Sequence, residues 1–204
     1  MKGQAAAASP AVVRIGHLCY RYRQHLSMAL LAVSILAARP LTGRPGLDAA
    51  SHAAAFLLVA AGGALRSWAM GFHVWRRVHG EGSRRRLITA GPYALVRNPL
   101  YLGTLLISGG VALMSGSWMV LAVSTALFWS GYAAIIRWEE SRLDDQFGAV
   151  YREYFDTVPR LVPRGRIWRR REGTFSVSTM MRCMEPAKTL GFLAALGLML
   201  WLKS

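Results

Sequence analysis

The run GPYALVRNPLY, residues 91–101, contains Arg97, Asn98 and Pro99, a set of residues that can hold an anion. Asn accepts hydrogen bonds from first-turn amides, and Pro at the first helical position gives up no bond, so the pair predicts a helix start at Pro99. The free amides and positive dipole end of that helix, beside Arg97, suit a carboxylate or phosphate. The same residues also serve a plain cap with Arg97 as a headgroup anchor. Gly103, Gly109 and Gly110 lower the profile of the helix and leave room for a neighbouring backbone or a flat ligand.

A second cluster suits a cation. Arg137, Glu139 and Glu140 are followed by Phe147-Gly148, Tyr151 and Tyr154. On a helix from about Arg137, the residues Leu143, Phe147, Val150, Tyr151 and Tyr154 trace one apolar face. Glu140 is in phase with that face and points inward. An inward carboxylate must be paired or must hold a cation, because an isolated buried charge is far too costly. Arg137 is a candidate partner, which would make a structural ion pair, and Glu139 can pair with Arg142. Asp144 and Asp145 read as solvated surface.

The elements that position these residues are apolar. Pro99 to Ile136 carries no charge, and as one helix it would run roughly 57 Å, well beyond a hydrocarbon core of ~30 Å. Ser115-Gly116-Ser117 supplies the turn, which predicts two spans, Pro99–Met114 and Trp118–Ile136. Three more are expected at Leu26–Ala38, Ala49 to about Phe72, and Ala187–Leu202, the last opened by Glu185-Pro186. The expected fold is therefore all-α, a single polytopic membrane domain of about five spans. Residues 1–90 form its N-terminal helices, 91–163 its core motif region, and 164–204 a basic segment and final helix. Residues 164–188 suggest a helix lying on the membrane surface.

Composition agrees, since 53% hydrophobic residues sit beside a formal net charge of +15. Lys and Arg number four before the first span, two in 39–48, six in 73–98, none between the third and fourth spans, and eleven in 137–188. The alternation puts the N-terminus and both motif halves on the cytoplasmic side. Clusters such as Arg84-Arg85-Arg86 and Arg169-Arg170-Arg171 flank apolar spans, so anionic headgroups explain them better than nucleic acid does. Arg66 interrupts the second span near its cytoplasmic end, where it either lines a substrate cavity or snorkels to the interface. Cys19 and Cys183 lack metal-ligand spacing and are expected as free thiols. Met1–Pro10 lacks the apolar core of a signal peptide.

The strings GPYALVRNPLYLG and EESRLDDQFGAVYREYFDTVPRLVP, in this order around a hydrophobic hairpin, resemble the isoprenylcysteine carboxyl methyltransferase family, which is related to phospholipid N-methyltransferases. The likeness covers about Gly62 to Pro163. It departs at Asn98, where the family frequently has histidine; Asn keeps donor and acceptor capacity but takes no proton near neutral pH. The resemblance implies S-adenosyl-L-methionine as methyl donor, held at the cytoplasmic end between Asn98 and the paired-glutamate helix. Implied contacts are Tyr93, Arg97, Asn98, Pro99, Tyr101, Gly103, Glu139, Glu140, Tyr151 and Tyr154. Glu140 is the expected base for an amine acceptor, while Arg137 and Arg66 would position a lipophilic acceptor of prenylcysteine-carboxylate or lipid-amine type. The alternatives are an NADPH-dependent membrane sterol reductase, built on a related turn motif, and a non-catalytic membrane scaffold.

Overall fold

The computed structural model describes residues 10–36, 45–72, 86–164, 169 and 172–202. The Arg84-Arg85 pair, Arg170-Arg171, residues 39–44 and the first nine residues lie outside that set, as does the end of the first expected span. Among the described residues the chain is all-helical, as expected: α1 (Pro10–Leu36), α2 (Pro45–Phe72), a 3-10 turn (Gly91–Ala94), α3 (Pro99–Met114), α4 (Trp118–Phe147), α5 (Ala149–Thr157), α6 (Val177–Arg182) and α7 (Glu185–Trp201).

Helix α3 is central. Its glycine face lies against α2 so closely that a Cβ added to Gly103 would stand 2.8 Å from the Gly62 carbonyl, and one added to Gly110 would stand 2.7 Å from that of Ala55. Small residues on both helices permit this backbone approach. Below it, Ala55, Val59, Val111, Met114, Leu196 and Met199 join α2, α3 and α7 in one buried cluster. Opposite, Phe128, Tyr132 and Ile135 of α4 pack with Cys19, Tyr20, Tyr101 and Leu105, tying α4 to α1 and α3. Cys19 and Cys183 are free thiols.

The hairpin turns at the expected place. Ser115 Oγ donates to the Ala112 carbonyl at 2.7 Å and accepts from the Ser117 amide at 3.2 Å, and Ser117 Oγ caps α4 by accepting from the Val120 amide. Helix α4 then runs unbroken for 30 residues, well past the predicted end of its apolar span at Ile136. Ser124, Phe128, Tyr132, Ile136 and Glu140 form one buried row at spacing four. Gly148, at φ +53°, ends the helix and lets α5 fold back.

Two helical stretches are long and apolar enough to cross a membrane, Asp48–Phe72 with 25 residues and Trp118–Phe147 with 30. Helix α3 is apolar but shorter, at 16 residues. Among the described residues of 164–188 the expected surface helix is not continuous: helix forms only over the six-residue α6 and the first turn of α7, and 172–176 is not helical. Backbone pairing diverts it, since the Thr89 and Ala90 amides donate to the Glu172 carbonyl and the Ser176 amide donates to that of Gly71.

Candidate functional site

Glu140 is the centre of the site. It is 5% exposed, one turn beyond the last apolar residue of its row, and every partner comes from another element. Arg97 Nε donates to its Oε1 at 3.1 Å, Asn98 Nδ2 to the same oxygen at 3.3 Å, and Arg160 grips both oxygens, with Nη2 at 2.6 Å from Oε2 and Nε at 3.2 Å from Oε1. The two motif halves thus meet as the sequence predicts, but through an Arg–Glu–Arg triad.

The members of the triad are not alike. The Arg97 side chain is 9% exposed and fully engaged: its Nη1 donates to the Phe155 and Val158 carbonyls at the end of α5, and its guanidinium lies 3.9 Å from the Phe155 ring centre. A cation is favoured at such a helix C-terminus. Arg160 is 41% exposed on its side chain, whose hydrogen bonds among the described residues go to Glu140. It is placed by main-chain pairing of 97–98 with 159–160, in which the Arg97 amide donates to the Pro159 carbonyl and the Asn98 amide to that of Arg160. Sequence reasoning assigned Arg160 no role. The available signal was an arginine just past a helix end, between Pro159 and Pro163.

Several expected roles change. Arg137 is exposed and makes no side-chain hydrogen bond or ion pair among the described residues, and the partners of Glu140 are others. Position 137 turns away from the buried row that ends in Ile136 and Glu140, leaving the carboxylate to arginines from elsewhere. Asn98 begins α3 with Pro99 behind it, yet its side chain makes no cap bond. Its amide group points instead to the charged carboxylate, a stronger acceptor. Gly103 serves close packing: a Cβ there would stand 2.5 Å from Arg66 Cγ. Tyr101 lies in the core, its ring 5.4 Å from that of Tyr132. Arg142 lies over the Trp138 ring at 5.0 Å rather than pairing with Glu139. Asp144 is half-buried and accepts from Arg152 Nε at 2.9 Å across the Gly148 bend.

Arg66 neither snorkels nor lines the triad. Its Nε and Nη2 donate to the two oxygens of Glu185 at 2.8 and 3.1 Å, and its Nη1 donates to Thr104 Oγ1 at 2.6 Å and the Leu100 carbonyl at 3.3 Å. Glu185, 2% exposed, also accepts from Lys188 at 3.0 Å. This second ion pair fastens α7 to α2 and to the first turn of α3.

The tyrosines divide. Tyr154 Oη donates to the Tyr93 carbonyl at 2.7 Å, joining α5 to the 3-10 turn. The hydroxyls of Tyr93 and Tyr151 are buried and have no hydrogen-bond partner. Burial pushes all three phenols well above their ordinary range, with Glu139 adding to the effect at Tyr93 and Glu140 at Tyr151. Beside the triad a groove of about 760 Å³ is lined by Arg97, Arg160 and Arg164 and by apolar groups including Trp129, Phe155 and Leu161.

Comparison with known proteins places this geometry. The phospholipid methyltransferase family profile matches residues 50–150, which include Asn98 and Glu140. The protein-S-isoprenylcysteine O-methyltransferase of Schizosaccharomyces pombe is 31% identical over 77 residues, covering 38% of this chain and 33% of its own length. The chain belongs to the phospholipid methyltransferase family, with relatives among the isoprenylcysteine carboxyl methyltransferases. Similarity extends to methanethiol S-methyltransferase 2 of Bradyrhizobium diazoefficiens, 32% identical over 87 residues (43% of this chain, 31% of the relative). It also extends to the cobalt-zinc-cadmium resistance protein CzcN of Cupriavidus metallidurans, 35% identical over 105 residues (51% and 48%). The chain thus spans about half or less of the length of these relatives. No solved structure matches it. For this family member, Tyr151, Tyr154 and Arg160 lie past the end of the profile match, so their part in the site rests on the geometry alone.

Proposed function

We propose that this chain is a multi-pass membrane methyltransferase that uses S-adenosyl-L-methionine and methylates a lipophilic acceptor, either a carboxylate of prenylcysteine type or a lipid amine. The observation that carries the reading is Glu140, buried between Arg97, Asn98 and Arg160 beside the groove. The fit to the donor is chemical. Glu140 suits its ammonium, Arg160 its carboxylate, and the orphaned hydroxyls of Tyr93 and Tyr151 are buried polar groups that a ligand would satisfy. Arg160 is the exchangeable member of the triad, because its side chain is the more exposed and the less tied. The donor supplies an already activated methyl group, so the work left to the protein is alignment and exclusion of water. Apolar Trp129 and Leu161 at the groove suit a greasy acceptor.

The membrane reading rests on exposure as well as length. Only 28% and 33% of the most apolar stretches of α2 and α4 is buried inside the protein, whereas a core helix of a soluble protein would bury most of it. Leu57, Trp118, Met119 and Val123 face outward. With α1, α3 and α7 this gives five spans, and the distribution of arginines puts the N-terminus and the triad in the cytoplasm.

Three arginines on one groove would also serve the phosphates of NADPH, so the dinucleotide is the proper competitor. Calorimetry on the detergent-purified chain should show binding of S-adenosylmethionine and of its demethylated product but not of NADPH. The reverse preference would overturn the proposal. Arg160→Gln should weaken donor binding at least ~10-fold, the loss of one charged hydrogen bond, while Arg137→Gln leaves it unchanged. Radiolabelled donor incubated with membranes then identifies the acceptor by its label.

A further inference from the structure

A second groove, about 560 Å³, runs between α1 and α4 and is lined by Arg14, Ile15, His17, Leu18 and Trp138. Its floor exists because Gly16 lets the helices touch: a Cβ there would stand 2.7 Å from both the Ala134 carbonyl oxygen and Trp138 Cβ. Trp138 is held from three sides, by His17 with ring centres 5.8 Å apart, by Tyr20 at 5.3 Å, and by the Arg142 guanidinium at 5.0 Å. No carboxylate lines the groove. Arg14 and Arg142 are exposed and make no ion pair among the described residues, while Ile15 and Leu18 expose their side chains beside them. Cations therefore stand next to an open apolar surface, just beyond Ile136, where the apolar part of α4 ends.

We infer that this groove seats an anionic phospholipid of the leaflet that faces the triad. The phosphate would lie against Arg14, His17 and Arg142 and the acyl chains along Ile15 and Leu18. The inference rests on the membrane part of the proposal above and not on methyl transfer. Charge selects the occupant: Arg14 and Arg142 attract an anionic headgroup, while the lining holds no carboxylate for the choline of a zwitterionic one. The indole and imidazole suit the interfacial level, where one side of a side chain is wet and the other greasy. This site is separate from the triad, which faces the α5 side of α4.

Native mass spectrometry of the full chain in detergent tests it, with dioleoyl phosphatidylglycerol and dioleoyl phosphatidylcholine as matched probes. The anionic lipid should stay bound at collision energies that strip the zwitterionic one. Arg14→Gln with Arg142→Gln should reduce that preference roughly thirtyfold, at the ordinary yield of two arginines near anionic lipid. Arg14→Lys should preserve it, and calorimetric donor binding should not change in any of these variants. Equal retention of the two lipids by the wild-type chain overturns the inference, and so does an unaltered preference in the double variant. Displacement by an equal concentration of glycerol phosphate overturns it too, since the headgroup alone would then suffice. Should the double variant not fold, the wild-type comparison and Arg14→Gln alone decide. Loss of donor binding in the wild type would refute methyl transfer and leave the lipid result standing.

Discussion

Replacing Glu140 by Gln keeps the shape of the side chain and removes its charge. The carboxylate accepts four hydrogen bonds, from Arg97 Nε, Asn98 Nδ2, and Nε and Nη2 of Arg160. With the amide oxygen in the Oε1 position three survive, but the new amino group faces Arg160 Nη2, donor against donor. Arg160, 41% exposed, can turn to water at little cost, whereas Arg97, 9% exposed, stays and keeps the Phe155 and Val158 carbonyls. The stability loss should therefore fall between the ~0–1 kcal/mol of an exposed pair and the ~3–5 kcal/mol of a broken buried one, at about 2 kcal/mol. The donor's ammonium meanwhile loses a charged acceptor, worth about 1.5–3 kcal/mol, or roughly 10- to 150-fold in affinity. Calorimetry with S-adenosylmethionine, on protein shown by thermal unfolding in detergent to be folded at the titration temperature, measures both. An affinity within threefold of wild type in a folded Glu140→Gln protein would refute the assignment of Glu140 to the donor.

Other perturbations follow from the same geometry. Glu185→Ala leaves the part-buried Arg66 without its buried counterion and should cost about 2–3 kcal/mol, while Arg66→Met with Glu185→Leu should recover most of it, because apolar replacement of such a pair is often neutral; the order of thermal midpoints checks this. Gly103→Ala forces a methyl to within 2.8 Å of the Gly62 carbonyl oxygen and should destabilise by about 1–3 kcal/mol, whereas Gly109→Ala, with nothing within 4 Å, should not destabilise. Tyr93, Tyr151 and Tyr154 keep their protons above the ordinary phenol value, since burial disfavours the phenolate. The unfolded chain ionises near pH ~10 and the fold does not, so this stabilisation is whole below that pH and is lost as pH rises beyond it. Phenolate absorbance should accordingly rise in two phases, the second coinciding with unfolding; a single phase near pH ~10 from a folded protein would contradict the burial.

Local rules made much of the architecture legible. Ser115-Gly116-Ser117 marks the hairpin turn because serine hydroxyls bond to neighbouring backbone. Asn98-Pro99 marks the start of α3 because proline fits only where an amide is unneeded. The inward direction of Glu140 follows from its phase with Leu143 and Phe147. What stayed hidden was the path of the chain between elements. Nothing periodic marks 158–163, and no local rule places Arg160 against Glu140, 20 residues earlier, or Glu185 against Arg66, 119 residues earlier. Those contacts depend on α5 folding back at Gly148 and on 172–176 returning to Thr89 and Gly71, which are backbone pairings.

The choice between Arg137 and Arg160 carries the same lesson into energetics. Arg137 is near in sequence and would cost little chain entropy to pair, but it stands at the outer edge of α4, where water already solvates it, and gains little from a partner. Arg97 has no such option. Buried over Phe155, it must satisfy its charge within the protein, and Glu140 is the carboxylate that α4 carries to that depth. Once that pair forms, the carboxylate still has room for further donors, and Arg160 takes them from the solvent side. A site with one fixed and one exchangeable cation on the same acid keeps the acid aimed whether or not a ligand is present. On the proposed function, a soluble cofactor would enter by displacing the exposed arginine, with the less exposed one left in place.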